Sequence, residues 1–591
     1  MLSPNPGPGC NSLGSPAGGL TLILSCALSR LGVQMNPPQT TAKSSAPWVV
    51  AIFTTQILLL LWAGDQNRQN LNTDAVAYLR IAGYYAQGNT ELAVSGYWGP
   101  LVSWIIAVPL KMHVAQLVAA RVVMGATAVL FSLASFRLLL GLGVGLRSAL
   151  VGFALAAGAS VPWSVEYISP DLLVSGLVCL AVGQVASSRW TENWKAAVVA
   201  GLLWGMAYLA KSVAFPLAFG MSCLLALLRC AHQPGRWRPI ARQFLLTLGV
   251  FLCVASPWIG VLSAKYGHLT FSTTARIAHA LAGPRDVERY HPFARTIQPP
   301  EKGRLTSWED PSRMPYAYWS PFASKANFTH QLGLMARNVG VILSHLADFD
   351  LLHLGVIAAM ASLLVRLRSL VGRVDTTAVT ARDGVGEQAF GRWAWPALLL
   401  VCLAGVYLPV SVSPLDQRYF YAGYPLLYAA VVGLLTWLIA RIPTKAARLR
   451  RLGCGLAWFS FTVPAVLGLG LAVQGLPDPG GRAAHALAER LILNHATGPV
   501  VGSGMVLGAR AGLYTAFLLD QPWYGDALSP TVADYLGSGA RLVILNRRQP
   551  INWELDRHPG FRSLDDLLFA SSAEAERFPL KVYEILPGGV R

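Results

Sequence analysis

Long uncharged apolar runs recur along this chain, and they limit its fold before anything else does. The first, Pro47 to Gly64, holds about 18 residues without a charge, enough to cross a bilayer as a helix. We read eleven such spans, at 47–64, 113–135, 148–163, 169–187, 195–210, 213–229, 244–262, 349–365, 393–412, 419–440 and 453–474. Of the 591 residues, 54% are hydrophobic and only 13% charged, whereas soluble proteins carry about a quarter charged. The expected fold is therefore an all-α polytopic membrane protein. The stretch 98–112 is apolar but short and broken by proline, so it is read as a lead-in to the second span. Residues 327–346 read as an interfacial amphipathic helix, because Arg337, Asn338 and His345 interrupt its apolar pattern.

A net charge of +18 would suit nucleic acid if it formed one patch. Instead the basic residues gather in short loops between spans, so nucleic acid is not an expected partner. Loop 229–243 carries Arg229, Arg236, Arg238 and Arg242 without an acid, and loop 441–451 carries Arg441, Lys445, Arg448, Arg450 and Arg451 without one. Loop 366–392 is also basic. With alternating spans, all three fall on the cytoplasmic side if the N-terminus does. The chain is then a multi-pass protein of the plasma (inner) membrane. Loops 65–97 and 263–330 and the C-terminus lie outside.

Residues 1–46, rich in Gly, Pro and Ser, are expected to be a disordered cytoplasmic leader. Met35 is expected to be the true start, since Met35-Asn-Pro-Pro-Gln-Thr-Thr-Ala-Lys43 reads as an ordinary leader. Residues 47–474 form the transmembrane domain. From 475 to 591 charge returns, and a helical stretch (Arg482–His495) precedes short β-rich runs at 498–502, 541–545 and 581–585. That length suits a small extracytoplasmic α/β domain with its own core. Gly502-Ser-Gly504 is read as a turn, because G-x-G-x-x-G is absent. No cysteine falls in the outer loops or the tail, so no disulfide framework is expected. No metal-ligand spacing is present, and a divalent-cation requirement stays open.

Asp74 follows the first span by about ten residues, in Asn72-Thr-Asp-Ala-Val-Ala-Tyr-Leu-Arg-Ile-Ala-Gly-Tyr-Tyr-Ala-Gln-Gly88. A period of 3.6 puts Asp74, Tyr78, Ile81 and Tyr85 on one helix face at the membrane surface. A carboxylate there can act as a general base on a membrane-bound substrate, or it can be a solvated helix residue. Glu166-Tyr-Ile-Ser-Pro-Asp171 is the second outer acidic site. Asp171 suits a helix start, with Ser169 as cap, Pro170 in the first turn and the acid facing the helix dipole; it equally suits substrate positioning. Glu166 competes for that second role. Lys211 is a lone cation in a short outer turn, suited to snorkelling or to a lipid phosphate. Arg418, in Leu415-Asp-Gln-Arg-Tyr-Phe-Tyr421, can grip phosphate through a bidentate fork, with Tyr419 beside it as phosphate neighbour or interfacial anchor. The outer loop 263–330 is too long for a connector and carries Arg276, His279, His291, Arg304, Trp308, Glu309, Asp310 and Trp319. It is expected to fold over the site, with Arg276 and His279 as candidate substrate contacts.

These segments resemble the GT-C membrane glycosyltransferases, in particular glycosyltransferase family 39, which includes aminoarabinose transferases acting on lipid A and protein O-mannosyltransferases. The resemblance rests on Asp74-x-x-x-Tyr78 after the first span, Tyr97-Trp-Gly-Pro-Leu101-x-x-Trp104, Ser169-Pro-Asp-Leu-Leu173, Leu209-Ala-Lys-Ser212 and Arg418-Tyr-Phe-Tyr-Ala-Gly-Tyr-Pro425, in that order over about residues 47–440. It implies Asp74 as base, Asp171 as second acid, and Lys211 with Arg418 on a donor phosphate. Tyr78, Tyr85, Trp98 and Tyr419 would line the substrate. The implied donor is a polyprenyl-phosphate sugar, and the acceptor a lipid, a glycan or a protein. Trp98-Gly-Pro-Leu101 stands where aminoarabinose transferases have Lys-Pro-Pro-Leu, which separates this chain from lipid A specificity. A secondary transporter, or a non-catalytic protein that binds lipid carriers in the envelope, is the rival reading. A transporter would show repeats and deep charges, and only Arg121 is a clear candidate for one.

Overall fold

The computed structural model describes residues 39–351, 384–410, 415–440 and 447–587. By contacts the chain divides into Met1–Thr55 and Gln56–Arg591. In the first unit the described residues are the start of helix α1 (Gln39–Gln66). Every contact reported below lies within the second.

The described chain is mainly helical: α2 (Thr73–Gln87), α3 (Pro100–Lys111), α4 (Gln116–Gly141), α5 (Leu146–Glu166), α6 (Asp171–Ala186), α7 (Trp194–Ala210), α8 (Ala214–His232), α9 (Trp237–Tyr266), α10 (Thr274–Leu281), α11 (Lys325–Ala347), α12 (Gly384–Gly405), α13 (Gly423–Ala440) and α14 (Ala447–Gln474). Among the described residues, six helices are long and apolar enough to cross a membrane: α1, α4, α5, α8, α9 and the one that begins as α14. Four further expected spans fall on the shorter apolar helices α6, α7, α12 and α13, and 349–365 lies largely outside the described residues. α7 matches its expected span, and α6 begins two residues late, at Asp171. Asp171 at the start of α6 and Lys211 just after α7 meet in a polar cluster. The lead-in at 98–112 forms α3, and 327–346 forms α11, as their patterns predict.

Successive loops alternate between two ends of the bundle. At one end, Arg229 near the end of α8 donates to the carbonyls of Val185 (2.9 Å) and Ser187 (2.6 Å) and to Thr191 Oγ1 (2.9 Å), tying α8 to the α6–α7 connection. At the other end lie the segments that carry Asp74, Asp171, Lys211 and Arg418, joined by ion pairs. Arg121, the expected deep charge, donates to the carbonyls of Asn70 and Val165 at this same end.

The C-terminal region has helices α15 (Pro479–Leu493) and α16 (Ala511–Leu518). Its strands are β1 (Val500–Val501), β2 (Met505–Val506), β3 (Ala509–Arg510), β4 (Leu542–Asn546), β5 (Phe561–Ser563) and β6 (Leu580–Ile585). β1, β4, β6 and β5 form one mixed sheet in that order. Period-two alternation gives this sheet two buried faces. Leu542, Ile544, Leu580 and Val582 join the large core that runs back into the helices. Val543, Leu545 and Tyr583 face a small separate core with Tyr535 and Leu555. Gly502 and Gly504 have φ of +94° and +50°, so the Gly-Ser-Gly run is a turn that needs glycine.

Candidate active site

Asp74 is the second residue of α2, where a carboxylate faces the positive end of the helix dipole. Its side chain does not cap the helix but accepts from Arg418 Nη2 at 2.8 Å. The N-cap residue Asn72 uses its side chain to accept from Ile168 N at 3.0 Å, which docks the start of α2 on the turn before α6. Asp171 opens α6, as expected of a first-turn acid. Pro170 rather than Ser169 occupies the N-cap, and no side chain caps that helix. The Asp171 carboxylate is 2% exposed and is held by Lys211 Nζ at 2.5 Å, with Arg418 Nε 3.8 Å away.

Lys211 terminates α7, and its ammonium sits 4.0 Å from the centre of the Tyr419 ring. Burial lowers its basicity despite the opposing pull of Asp171. Arg418 lies on a 3-10 turn over Gln417–Phe420 whose N-cap, Asp416, accepts from the Arg418 backbone N–H. The Asp416 carboxylate also pairs with Arg418 Nε at 3.2 Å. The guanidinium lies over Tyr167 (4.7 Å) and Tyr419 (5.4 Å). Three carboxylates oppose the cost of its burial, so Arg418 stays charged at any accessible pH.

An aromatic layer closes this cluster. Tyr78 meets Trp98 edge-on (5.0 Å), and Trp98 meets Tyr97 (4.7 Å) and Trp308 (5.1 Å). Trp98 Nε1 donates to the Trp308 carbonyl at 2.8 Å. Glycine at 99 has a packing reason. A Cβ at Gly99 would lie 2.3 Å from the Ala210 carbonyl, so glycine lets this loop rest on the residue before Lys211. Burial, with Asp171 and Asp74 nearby, pushes the Tyr78 phenol well above its usual range, and it stays an O–H donor.

The structure thus brings together Asp74, Asp171, Lys211, Arg418, Tyr419, Tyr78 and Trp98. Glu166, at the end of α5, lies at the edge of this cluster, bonded to Tyr167 and within electrostatic range of Arg418 and Asp416, but outside the ion pairs that bind Asp74 and Asp171 to Arg418. Other expected residues lie elsewhere. Tyr85 packs on Trp104 (6.1 Å) and lines an apolar cavity of about 580 Å3 with Trp258 and Pro257. Arg276 stacks on Tyr318 (4.1 Å). His279 stacks on Trp319 (4.4 Å) and bonds Gln331 through Nε2 (2.9 Å). Those contacts lie within the outer loop, except that Gln331 belongs to α11.

Asp416, Tyr97 and Tyr167 were not singled out from sequence. The signal for Asp416 was present, since an Asp two residues before Arg418 is a natural cap for a tight turn. The loop 263–325 is latched to the site by buried charge. Glu309, fully buried, accepts from Tyr84 of α2 (2.7 Å) and from the N–H groups of Leu305 and Thr306, with Arg304 at 3.6 Å and Arg80 at 3.9 Å. Asp310 takes Lys265 Nζ at 2.7 Å and Tyr266 Oη at 2.9 Å. Among the described residues no group of three or more His, Cys, Asp or Glu is placed to hold a metal ion.

Fold and site together define a polytopic membrane protein with a small α/β region and a buried cation–carboxylate cluster at one end of its helices. No family model and no curated protein matches the chain. Among solved structures it is similar to ArnT from Cupriavidus metallidurans bound to undecaprenyl phosphate (TM-score 0.45, 16% identity, covering 92% of this chain and 99% of that one). It is similar to the archaeal oligosaccharyltransferase AglB from Archaeoglobus fulgidus, in complex with an inhibitory peptide and a dolichol-phosphate (0.43, 12%, covering 86% and 70%). It is also similar to the arabinofuranosyltransferase AftD from Mycobacteria (0.43, 14%), where it covers 91% of this chain and 40% of that one.

Proposed function

We propose that this protein is a GT-C-type membrane glycosyltransferase that moves a sugar from a polyprenyl-phosphate donor to an acceptor on the extracytoplasmic face, with inversion. One observation carries the reading: two partly buried cations, Arg418 and Lys211, pair with the Asp74 and Asp171 carboxylates at one end of the bundle, although all four come from distant segments of the chain. A leaving phosphate needs countercharge, and two fixed cations supply it without reorganisation. The donor phosphate competes with Asp74, Asp171 and Asp416 for one guanidinium. Its arrival loosens Arg418 from Asp74 and frees that carboxylate. Asp74 then takes the proton from the acceptor nucleophile as its bond to the anomeric carbon forms. The bond from that carbon to the phosphate oxygen breaks, and its electron pair leaves on the phosphate. Trp308 of the outer loop packs on Tyr97 and Trp98 beside the cluster and narrows the access of water as a competing acceptor.

A transporter would hold its charges near the membrane midplane. The candidate charge Arg121 instead donates through its two Nη groups to backbone carbonyls at the site end, which favours surface chemistry. The test is turnover of radiolabelled polyprenyl-phosphate sugars by the purified protein in lipid nanodiscs. Wild type should release polyprenyl phosphate, and Asp74→Asn should lose about 10²–10⁴-fold while still binding donor. Full activity in Asp74→Asn would remove the base, and a wild type inert to every such donor would remove the reading.

A further inference from the structure

Helix α11 has three kinds of side rather than the usual two. One is buried, and there Leu334, Ile342 and Leu346 alternate with Gln331 and Asn338, which are 8% and 1% exposed. The polar pair is spent on backbone. Gln331 Nε2 donates to the Pro409 carbonyl (3.2 Å) and Asn338 Nδ2 to the Leu408 carbonyl (2.9 Å). Two turns further on, His345 Nε2 bonds the Leu415 carbonyl (2.6 Å), and its ring stacks on Phe420 (6.2 Å). Leu415 and Phe420 flank Arg418, so this side of α11 grips the turn that carries it.

The other two sides are exposed and unlike each other. At 3.6 residues per turn Phe328, Leu332, Val339 and Leu343 fall on one flank. Phe328 (46%), Leu332 (52%) and Val339 (45%) are open, and Leu343 is partly buried. Arg337 and Ser344, both exposed, lie on the far flank. The carbonyls that α11 grips fix its level in the bundle. Leu408 and Pro409 come just after the apolar helix α12, and Leu415 just before the Arg418 turn. α11 therefore lies along the site end, where apolar helix gives way to polar chain. Lipid headgroups and the first acyl methylenes meet at that level, and there an apolar flank and a basic flank are satisfied together.

We propose that the flank of Phe328, Leu332 and Val339 is seated among phospholipid acyl chains of the leaflet at the site end, with Arg337 and Ser344 in its headgroup layer. Gln331, Asn338 and His345 carry that seating to Leu408, Pro409 and Leu415. The bilayer thereby holds the Arg418 turn in place against Asp74. α11 is a positioning element in this scheme and touches no substrate. The inference rests on the membrane reading of the chain and goes beyond the transfer reaction.

A fluorescent amino acid placed singly at Leu332, Val339 or Arg337 of the full chain, in phosphatidylcholine nanodiscs, tests the seating. Phosphatidylcholine brominated on its acyl chains should quench the probes at 332 and 339 more strongly than the probe at 337. Aqueous iodide should do the reverse. Stronger quenching by iodide at 332 and 339 would put the flank in water, and protection from both quenchers would put it against protein; either result overturns the proposal. Amide hydrogen exchange tests the coupling to Arg418. Leu332→Asp combined with Val339→Asp should speed exchange in 415–420 roughly tenfold through local opening, while β4 and β6 keep the wild-type rate. Leu332→Met combined with Val339→Ile should leave 415–420 unchanged. Equal exchange in the two variants, or a rise spread equally over β4 and β6, would remove α11 as the element that positions Arg418. Neither measurement uses a donor, so both stand apart from the fate of the transfer reading.

Discussion

Arg418 Nη2 and Asp74 Oδ2 meet at 2.8 Å across 344 residues of sequence, and the same guanidinium also faces Asp416 and Asp171. A planar fork that serves three carboxylates cannot be replaced by a point charge. Arg418→Lys should therefore raise the KM for donor by about tenfold or more, the loss expected when one charge-assisted bond of ~1.5–3 kcal/mol goes. Steady-state kinetics with a polyprenyl-phosphate sugar checks this. An unchanged KM would mean that Arg418 is only a structural tie.

Asp171 and Lys211 form a pair that is nearly closed to solvent, with side chains 3% and 22% exposed. Removing one partner leaves the other charged and buried, which costs about 3–5 kcal/mol. Asp171→Ala should lower the melting temperature sharply, and Asp171→Ala/Lys211→Met should recover a good part of the loss. If the double variant is no more stable than Asp171→Ala alone, the pair does not carry the stability.

Lys211 must be protonated to meet phosphate, and burial lowers its pKa below the ordinary lysine value. Activity should thus fall on the alkaline side at a lower pH than an ordinary lysine would give. Lys211→Arg should move that limb to higher pH, because arginine holds its proton. A pH profile of kcat/KM that is identical in the two proteins would exclude Lys211 as the titrating group.

His291 is held at a pKa of about 4, below its usual 6.5, chiefly by burial, with Arg510 adding to the effect and Asp74 opposing it. The unfolded chain therefore binds more protons than the folded one between these values, and stability should rise with pH across that window. At full effect this is about 3 kcal/mol at pH 7 relative to pH below 4. Thermal melts of wild type and His291→Gln between pH 4 and 7 should converge at the acid end, and a constant gap would refute the assignment.

Glu309 sits at the centre of the latch that joins the outer loop to α2. Glu309→Ala leaves the Leu305 and Thr306 N–H groups without their acceptor in a buried site, while Arg304 keeps Glu301 at 2.9 Å, a loss of about 1–3 kcal/mol for each unsatisfied group. Limited proteolysis should then cut within 263–325 faster than in wild type. Equal cleavage rates would show that the aromatic packing alone holds the loop.

Much of this architecture is legible in the residues. The apolar runs set where helices form, the basic loop 229–243 lies at the end opposite the segments of Asp74 and Asp171, and the 3.6-residue pattern places Asp74 and Tyr78 on one face. The β-rich runs of the C-terminal region become β1, β4 and β6, with side chains alternating between two buried faces. The assignment of partners is not legible in this way. Local periodicity records which face is buried, not which distant loop buries it. Asp171 meets Lys211 across 40 residues and Asp74 meets Arg418 across 344, and only helix packing sets those distances. The same packing leaves Glu166 at the edge of the cluster, turns Tyr85 toward an apolar cavity, and stacks Arg276 and His279 on Tyr318 and Trp319 of the outer loop. It also admits Asp416, a turn cap by sequence, as a third carboxylate on Arg418. The sequence alone determined a helical membrane protein with a polar end; the tertiary structure decided which charges face one another there, because those pairings span distances that no local pattern encodes.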